Sequence, residues 1–251
     1  MTTVHPADRL PAVTAALAVI AHPDDESFGL GAVLGALVDA GTQVAGICFT
    51  HGEASTLGPA GADLPELRAF ELAEAARALG IVPVELLEYA DGRLACTPVA
   101  ELADRVVEAA RCHHAELLVV FDEGGITGHR DHQAATEAAL TAARRLAIPV
   151  VAWAVSETVA DALNAEFGSS FVGRPPDQID ITLTVERTRQ LEAIARHRSQ
   201  SGTNPVLWRR LQLSGDRESL RWLSADRPGD ATDAHGRVAR VAELDASNRM
   251  N

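Results

Sequence analysis

Short apolar runs alternate with longer amphipathic stretches over the first 155 residues of this chain, and this alternation restricts the fold most strongly. The apolar runs have the length of buried strands, and the stretches between them repeat apolar residues at helical spacing. The predicted strands cover residues 16–21, 43–50, 82–87, 115–121 and 148–155. Because helices join these strands, we predict an α/β fold with a mostly parallel sheet that helices cover on both faces.

The predicted helices follow the same alternation. Between the strands they cover residues 29–41, 64–80, 98–112 and 131–146. After residue 155 the pattern loosens, and we predict helices over 156–168 and 186–200 with a sixth strand over 178–185 between them. The sheet therefore has five or six strands, and a right-handed doubly wound arrangement gives the first five the order 3-2-1-4-5.

The C-terminal part of the chain differs in composition from the rest. From about Asn204 it is rich in arginine, and further on it is small and polar, so we expect a peripheral tail over residues 206–251. No repeat or linker divides the chain, which predicts one domain over residues 1–251 with its core at about 15–205.

The composition excludes several classes of function. The net charge of −13 disfavours binding to nucleic acid, whose phosphates the chain would repel. All 22 basic residues are arginine, so mechanisms that need a lysine, such as Schiff bases and phosphate-binding P-loops, are excluded. No apolar run has the length of a transmembrane helix.

The cysteines and the N-terminal segment bear on location. The three cysteines are widely spaced and form no CxxC motif, which favours a reducing compartment and predicts a cytoplasmic protein. The run from Leu10 to Ala21 could pass for the core of a signal peptide. A signal peptide begins with a positively charged segment, but here the only basic residue before the run is Arg9, and Asp8 neutralises its charge. We therefore interpret the end of the run as a strand.

Charged and imidazole groups concentrate after two of the predicted strands. The first strand is followed by AHPDDES and the fourth by DEGGITGHRDH. In the order 3-2-1-4-5 these strands are neighbours, and their carboxyl ends meet at the point where a ligand binds in such sheets. The sequence therefore predicts one crevice that contains His22, Asp24, Asp25, His129, Asp131 and His132.

A divalent metal ion would make so dense an acidic cluster tolerable, because its charge keeps the carboxylates ionised. Two imidazoles and one carboxylate are a common ligand set of catalytic zinc sites. His129 and His132 are three residues apart, so at the start of a helix they share a face. Two structural alternatives stay open. The acids could complement a helix dipole, and His129 and Asp131 could cap the following helix.

Five short motifs occur in one order along the chain. They are AHPDDE (21–26), FTHGEAS (49–55), LRAFELAEAARALG (67–80), GHRDH (128–132) and HRSQ (197–200). Together they resemble the motifs of the LmbE-like, or GlcNAc-phosphatidylinositol de-N-acetylase (PIG-L), superfamily. The resemblance covers about residues 15–205 and implies a Rossmann-like α/β fold, in agreement with the alternation pattern.

The resemblance also implies a metal site and a catalytic base. In that family the corresponding residues bind zinc, so the implied ligands are His22, Asp25 and His132. Zn²⁺ is the expected cofactor, with Fe²⁺ or Mn²⁺ as alternatives. Asp24 is the implied general base. Its place beside a ligand suits that role, because a base must reach the attacking water without binding the metal strongly.

The remaining implied roles concern the substrate. His129 is expected to stabilise the oxyanion, and Asp131 to orient or tune His129. The proton for the leaving amine comes from either His129 or Asp24, and the sequence leaves this open. Arg68 and Asp91 are candidate sugar-binding residues, although a salt bridge of Arg68 with Glu71 and a turn-forming role of Asp91 are equally good readings.

The expected function is zinc-dependent removal of an N-acetyl group from an amino sugar or glycoconjugate. The expected partner is a small N-acylated sugar or glycoconjugate, and the sequence leaves the oligomeric state open. Three alternatives remain. The chain could be an amidase that removes a larger acyl group from a thiol-sugar conjugate, or a deacylase that tailors a secondary metabolite. It could also bind a sugar and a metal without turnover, although such a protein would need neither Asp24 nor His129.

Overall fold

The computed structural model of the chain describes residues 7–55, 63–202 and 204–224. The strands in this part are β1 Ala15–Ile20, β2 Gln43–Thr50, β3 Val84–Tyr89, β4 Leu117–Phe121, β5 Val150–Ser156, β6 Gly173–Arg174, β7 Ile181–Thr184 and β8 Arg217–Trp222. They form one sheet in the order β3-β2-β1-β4-β5-β8-β7, with β6 paired to β5. The first five strands are parallel, which confirms the predicted order.

Helices cover both faces of the sheet. They are α1 Asp25–Phe28, α2 Gly31–Asp39, α3 Leu64–Leu79, α4 Val99–Cys112, α5 Gly125–Gly128, α6 Arg130–Leu146, α7 Glu157–Phe167, α8 Thr188–Ile194, α9 Arg198–Ser201 and α10 Pro205–Ser214. Successive residues of β1 pack on opposite faces. Ile20 contributes to the core beneath α2 and α3, and Leu17 to the core beneath α4 and α6. Because both faces are buried, β1 is apolar throughout.

The peripheral tail expected over residues 206–251 is wrong as far as Trp222, because this part contains most of α10 and all of β8. β8 lies between β5 and β7 and is antiparallel to both, so the sheet formed by the described residues has eight strands rather than five or six. The sequence of β8 is polar and therefore resembles a surface segment. Its Glu218 can nevertheless be buried, because the carboxylate accepts hydrogen bonds from Trp153 Nε1 at 2.7 Å and from Arg187 Nη1 at 2.5 Å. The small, polar end that we expected over residues 225–251 lies outside the described residues.

Two predicted helices are interrupted, each for a tertiary reason. The one predicted over 29–41 begins earlier and is divided at Gly29, where a Cβ atom would lie 2.3 Å from Cε1 of Phe121. The one predicted over 186–200 breaks between α8 and α9, because His197 leaves the helical conformation and its side chain enters the core. Both interruptions lie beside the loop that follows β1.

The loops that follow β1, β2, β3 and β4 share one edge of the sheet, because parallel strands end on the same side. This edge contains the motifs that follow the first and fourth strands. Over the described ranges, the helices all fall short of the combination of length and hydropathy that a membrane span requires.

Candidate active site

The three acidic residues after β1 point to different partners, which relieves their mutual repulsion. Asp25 begins α1, and its Oδ2 accepts hydrogen bonds from the backbone N–H groups of Ala21 at 3.1 Å and His22 at 2.9 Å. Glu26 is fully buried and lies 2.5 Å from Nε2 of His197. Asp24 lies at the wall of a cavity. The AHPDD loop therefore places one carboxylate in each of three environments.

His22, Asp25 and His132 converge on one point. Nδ1 of His22 lies 3.2 Å from Nε2 of His132 and 3.6 Å from Oδ2 of Asp25. Nε2 of His132 lies 3.2 Å from Oδ1 of Asp25. Ligands at about 2.0–2.2 Å around a tetrahedral zinc ion are separated by roughly 3.3–3.6 Å. The three side chains thus have the spacing that a single divalent metal ion requires.

The outer nitrogens of both imidazoles face oxygen acceptors. Nε2 of His22 lies 3.1 Å from Oδ1 of Asp91 and 3.5 Å from Oδ2 of Asp131. Nδ1 of His132 lies 3.1 Å from the carbonyl oxygen of Gly125. The carbonyl of Gly125 holds the ring proton of His132 on Nδ1 and leaves Nε2 as a lone pair, which is how metal-binding histidines are oriented. The two carboxylates lie near Nε2 of His22 without the geometry of a hydrogen bond.

The electrostatics also call for a cation at this point. Burial alone lowers the pKa of His22, but hydrogen bonds and charges from Asp131, Asp25 and Asp91 raise it to about 12. Burial raises the pKa of Asp25, yet His132 and His22 together hold it well below its usual range. The cluster therefore favours bound positive charge, which a proton on His22 or a divalent ion can provide.

His129 is the N-cap of α6, and its Nδ1 accepts a hydrogen bond from the backbone N–H of Asp131 at 3.2 Å. Its ring centroid lies 4.8 Å from those of both His22 and His132. Burial, His132 and His22 lower the pKa of His129, so the ring is neutral at neutral pH. With Nδ1 occupied as an acceptor, the proton of the neutral ring is on Nε2, which makes Nε2 a donor.

Two other groups in this cluster have ligand atoms within 4.8 Å of one another. They are His22, His129 and His132, and His22, Asp91 and Asp131. Both groups share His22 with the set that includes Asp25. In the first group Nδ1 of His129 accepts from the backbone N–H of Asp131, and in the second the carboxylates accept from the backbone N–H groups of Ala54 and Gly92.

Asp131 contacts His129 through its backbone N–H rather than through its carboxylate. The negative charge of the carboxylate still raises the pKa of His129, against the larger lowering by burial. Oδ2 of Asp131 accepts from the N–H of Gly92 at 2.7 Å, and its Oδ1 from the N–H of Leu94 at 3.1 Å. Asp131 therefore fixes the loop after β3 and faces the outer nitrogen of His22.

Asp24 is held by Gln200, whose Nε2 lies 2.5 Å from Oδ2 of the carboxylate. Its backbone N–H donates to Oε2 of Glu26 at 3.0 Å. Burial raises the pKa of Asp24, the charge of Asp25 raises it further, and the result is about 7. A carboxylate with such a pKa can both accept and return a proton at neutral pH.

A cavity of about 580 Å³ opens over these groups. Asp24, Asp25 and the three histidines line one part of it, and an aromatic wall lines another. We define the aromatic wall as Phe28, Phe121, Trp153 and Phe171. Trp153 of this wall is 3% exposed, so it belongs to the core and lines the cavity at the same time. The site can therefore receive a substrate with both polar and apolar parts.

Arg68 and Asp91, the candidate sugar-binding residues, both line the cavity. Arg68 is buried, and its Nη1 donates to the carbonyl oxygen of Gly52, which has a φ of 68° and leaves no room for a Cβ atom beside the guanidinium. Asp91 accepts from the N–H of Ala54 at 2.8 Å and faces His22. Both side chains thus connect loops at the site as well as lining it.

Sequence reasoning gave no role to Glu26 or Gln200, and both hold the AHPDD loop. Glu26 was visible as the third acid of that loop, and Gln200 as the last residue of the HRSQ motif. Arg210 was missed because it lies in the expected tail. It is buried, lines the cavity and stacks 5.0 Å from the ring centroid of Trp153.

Comparison with known proteins agrees with this geometry. Residues 17–143 match the family model for PIG-L, described as GlcNAc-PI de-N-acetylase. The chain belongs to this family. The matched residues extend from β1 to α6 and include all six residues of the predicted crevice. The PIG-L match thus contains the candidate metal ligands together with Asp24 and His129, which lie beside them in the cavity.

Two curated relatives extend the likeness beyond the family match. A 1D-myo-inositol 2-acetamido-2-deoxy-alpha-D-glucopyranoside deacetylase 1 of Catenulispora acidiphila is 34% identical over 60% of this chain and 56% of its own length. A probable N-acetyl-alpha-D-glucosaminyl L-malate deacetylase 2 of Bacillus cereus is 26% identical over 84% of this chain and 94% of its own length. The chain therefore spans little more than half of the first relative.

Solved structures share the PIG-L fold of this chain. The zinc-inhibited form of teicoplanin deacetylase Orf2 has a TM-score of 0.65 and 21% identity, over 83% of this chain and 97% of its own. A 4-carboxy-2-hydroxymuconate hydratase from Pseudomonas putida has a TM-score of 0.64 and 16% identity, over 86% and 98%. Since these two proteins differ in their named activities, the fold does not decide the reaction and the site must.

Proposed function

We propose that this PIG-L protein is a metal-dependent hydrolase that removes an N-acetyl group from an amino sugar or glycoconjugate. The observation that carries the proposal is the triangle of His22, Asp25 and His132, with Asp24 and His129 beside it in one cavity. The deacetylases among the relatives, which act on N-acetylated sugar conjugates by their names, support the substrate class.

Zn²⁺ is the proposed ion, held by Nδ1 of His22, a carboxylate oxygen of Asp25 and Nε2 of His132. When bound, the ion would act as a Lewis acid towards water and the amide carbonyl. Asp91 and Asp131 face the outer nitrogen of His22, and the carbonyl of Gly125 faces that of His132. Such outer partners fix the ring orientations and strengthen the ligands.

Asp24 is the proposed general base. It lines the cavity next to ligand Asp25, and its raised pKa of about 7 suits the removal of a proton from water at neutral pH. Gln200 holds one of its oxygens, and the other can take the proton. The resulting carboxylic acid is also a proton source for the leaving nitrogen.

His129 is the proposed oxyanion-stabilising residue. The Asp131 N–H fixes the neutral tautomer with its proton on Nε2, so the ring can donate a hydrogen bond to an oxygen on which negative charge develops. A neutral imidazole is a poor proton donor to an amine. We therefore assign the proton of the leaving amine to protonated Asp24 rather than to His129.

Arg68 and Asp91 are proposed to contribute to substrate binding from the cavity wall. The aromatic wall favours a second candidate function, in which the same groups cleave a larger acyl group or act on a secondary metabolite. We place the enzyme in the cytoplasm, since Cys48, Cys96 and Cys112 are all free thiols. The whole chain would act as one catalytic domain.

The test is a substrate panel with metal analysis. Purified protein is loaded with Zn²⁺, Fe²⁺ or Mn²⁺, and amine release is measured from N-acetylglucosaminyl compounds that vary in aglycone and acyl length. Release of glucosamine-type amine with acetate supports the deacetylase. Release from longer acyl groups alone supports the amidase. Bound metal without release from any member of the panel would mean a binding protein instead.

A further inference from the structure

The turn around α9 reaches back to the loop that follows β1, although the two are far apart in sequence. Nε2 of His197 lies 2.5 Å from Oε1 of Glu26. Nε2 of Gln200 donates to the carbonyl oxygen of Pro23 at 3.1 Å and to Oδ2 of Asp24 at 2.5 Å. Of these two residues, only Gln200 contacts the carboxylate that we assign as the base.

The orientation of the Gln200 amide is fixed by its partners. The carbonyl oxygen of Pro23 can only accept a hydrogen bond, so the NH₂ end of the amide must face it. The same NH₂ group faces Asp24, and the flipped amide would place an oxygen against two acceptors. Gln200 is 2% exposed, so water cannot easily replace these bonds.

The backbone of Asp24 needs such support. Its φ is 123°, a conformation that residues other than glycine rarely adopt and that persists only when neighbours enforce it. Its N–H is bound by Glu26, its carbonyl oxygen accepts from Ser27 and Phe28, and its side chain is bound by Gln200. Gln200 therefore fixes the rotation of a carboxylate whose backbone is already in an unfavourable conformation.

We propose that Gln200 is a positioning residue, which holds one oxygen of Asp24 so that the other faces the attacking water. This inference rests on the proposed function, since it assumes that Asp24 is the base. It gives the HRSQ motif a role in turnover beyond packing. Without Gln200 the Asp24 carboxylate would be misaligned. The enzyme would still bind substrate and metal, but proton transfer from water to Asp24 would be slower.

The experiment compares two buried glutamines. Gln200→Met removes the donor to Asp24 and keeps the length of the side chain. Gln190→Met is the matched control, because Gln190 is also buried and donates to the carbonyl oxygen of Ser27 at 3.0 Å without contacting Asp24. We expect kcat of the Gln200 variant to fall by about 10- to 100-fold with KM and metal content unchanged, a part of the factor that a general base contributes.

Crystal structures of zinc-loaded wild type and Gln200→Met supply a readout that needs no substrate. We expect the Asp24 carboxylate to rotate in the variant. If Met at this position prevents folding, Gln200→Asn serves, because it keeps a polar amide that is too short to reach both partners. An unchanged kcat, equal losses in both glutamine variants, or an Asp24 carboxylate that stays in place would each overturn the inference.

The two proposals fail in different ways. If wild-type protein releases amine from no substrate in the panel, the proposed function fails, and the position of Asp24 in the crystals alone decides whether Gln200 positions it. If wild type is active and the Gln200 variants behave like Gln190→Met, the function stands and the positioning role is wrong.

Discussion

Nε2 of His132 lies 3.2 Å from Oδ1 of Asp25, although one residue follows β4 and the other follows β1. The contact exists because β1 and β4 are adjacent and parallel. Each side chain is also fixed from behind, Asp25 by the N–H groups of Ala21 and His22, and His132 by the carbonyl of Gly125. A site preformed in this way loses little entropy when it binds an ion.

Asp24→Asn should abolish most of the turnover and leave the metal in place. The amide cannot take a proton from water, so we expect kcat to fall by about 10²- to 10⁴-fold. Metal analysis of the variant by mass spectrometry should match wild type, because Asp24 is not in the ligand triangle. A variant with near-normal kcat would show that another group is the base.

His132→Ala and His129→Ala should separate metal binding from catalysis. His132 lies in the ligand triangle, so its loss should weaken Zn²⁺ affinity by more than the roughly 10- to 100-fold that an outer partner contributes. His129→Ala should retain Zn²⁺ and lose about 10²- to 10³-fold in kcat, as when an oxyanion donor is removed. Competition with a chelator measures both affinities. Equal metal loss in the two variants would favour the group of three histidines instead.

Asp131→Ala should lower both stability and metal affinity. It leaves the N–H of buried Leu94 without its acceptor, and an unsatisfied buried donor costs about 1–3 kcal/mol. The N–H of Gly92 loses the same acceptor, but Gly92 is exposed and water can replace that bond. It also removes a carboxylate that faces His22. Urea unfolding of the metal-free protein measures the first effect. Asp161→Ala, at an exposed position on α7, is the control and should change neither quantity.

The contact between His197 and Glu26 should make stability depend on pH. Burial lowers the pKa of His197, but the charge of Glu26 and its hydrogen bond raise it above the usual 6.5. A raised pKa in the folded state means that the stabilisation is complete below about 6.5 and is lost as pH rises through the folded value. Unfolding of wild type and His197→Gln should therefore differ most at about pH 6 and least at alkaline pH. A difference that grows with pH would contradict this.

The parallel part of the fold followed from sequence, and so did the convergence of the two loops that contain the candidate site residues. Strands such as Ala15–Ile20 are apolar on both faces, and right-handed crossovers leave few orders for them. That order brings the loops after β1 and β4 together, which is enough to group His22, Asp25 and His132. That they bind a metal, which metal it is, and which acyl group the protein removes all stay predictions.

Other features depend on contacts that no local pattern encodes. Residues 186–200 are good helix formers, and the break at His197 occurs because its imidazole pairs with the buried Glu26. β8 carries Glu218 on a buried face, which is tolerable because Arg187, Trp153 and Arg210 reach its carboxylate from other elements. Ion pairs of this kind make a core strand look like a surface segment.

The position of β8 between β5 and β7 has a consequence for biosynthesis. β7 joins the sheet through β8, which is the last strand of the described chain to leave the ribosome. The parallel half can form during translation, whereas β7 must wait for Trp222 to emerge before its partner exists. In a nascent chain that stalls before that point, the edge of β5 that β8 normally covers would be unpaired. Such an edge can bind a chaperone or pair with another chain and aggregate.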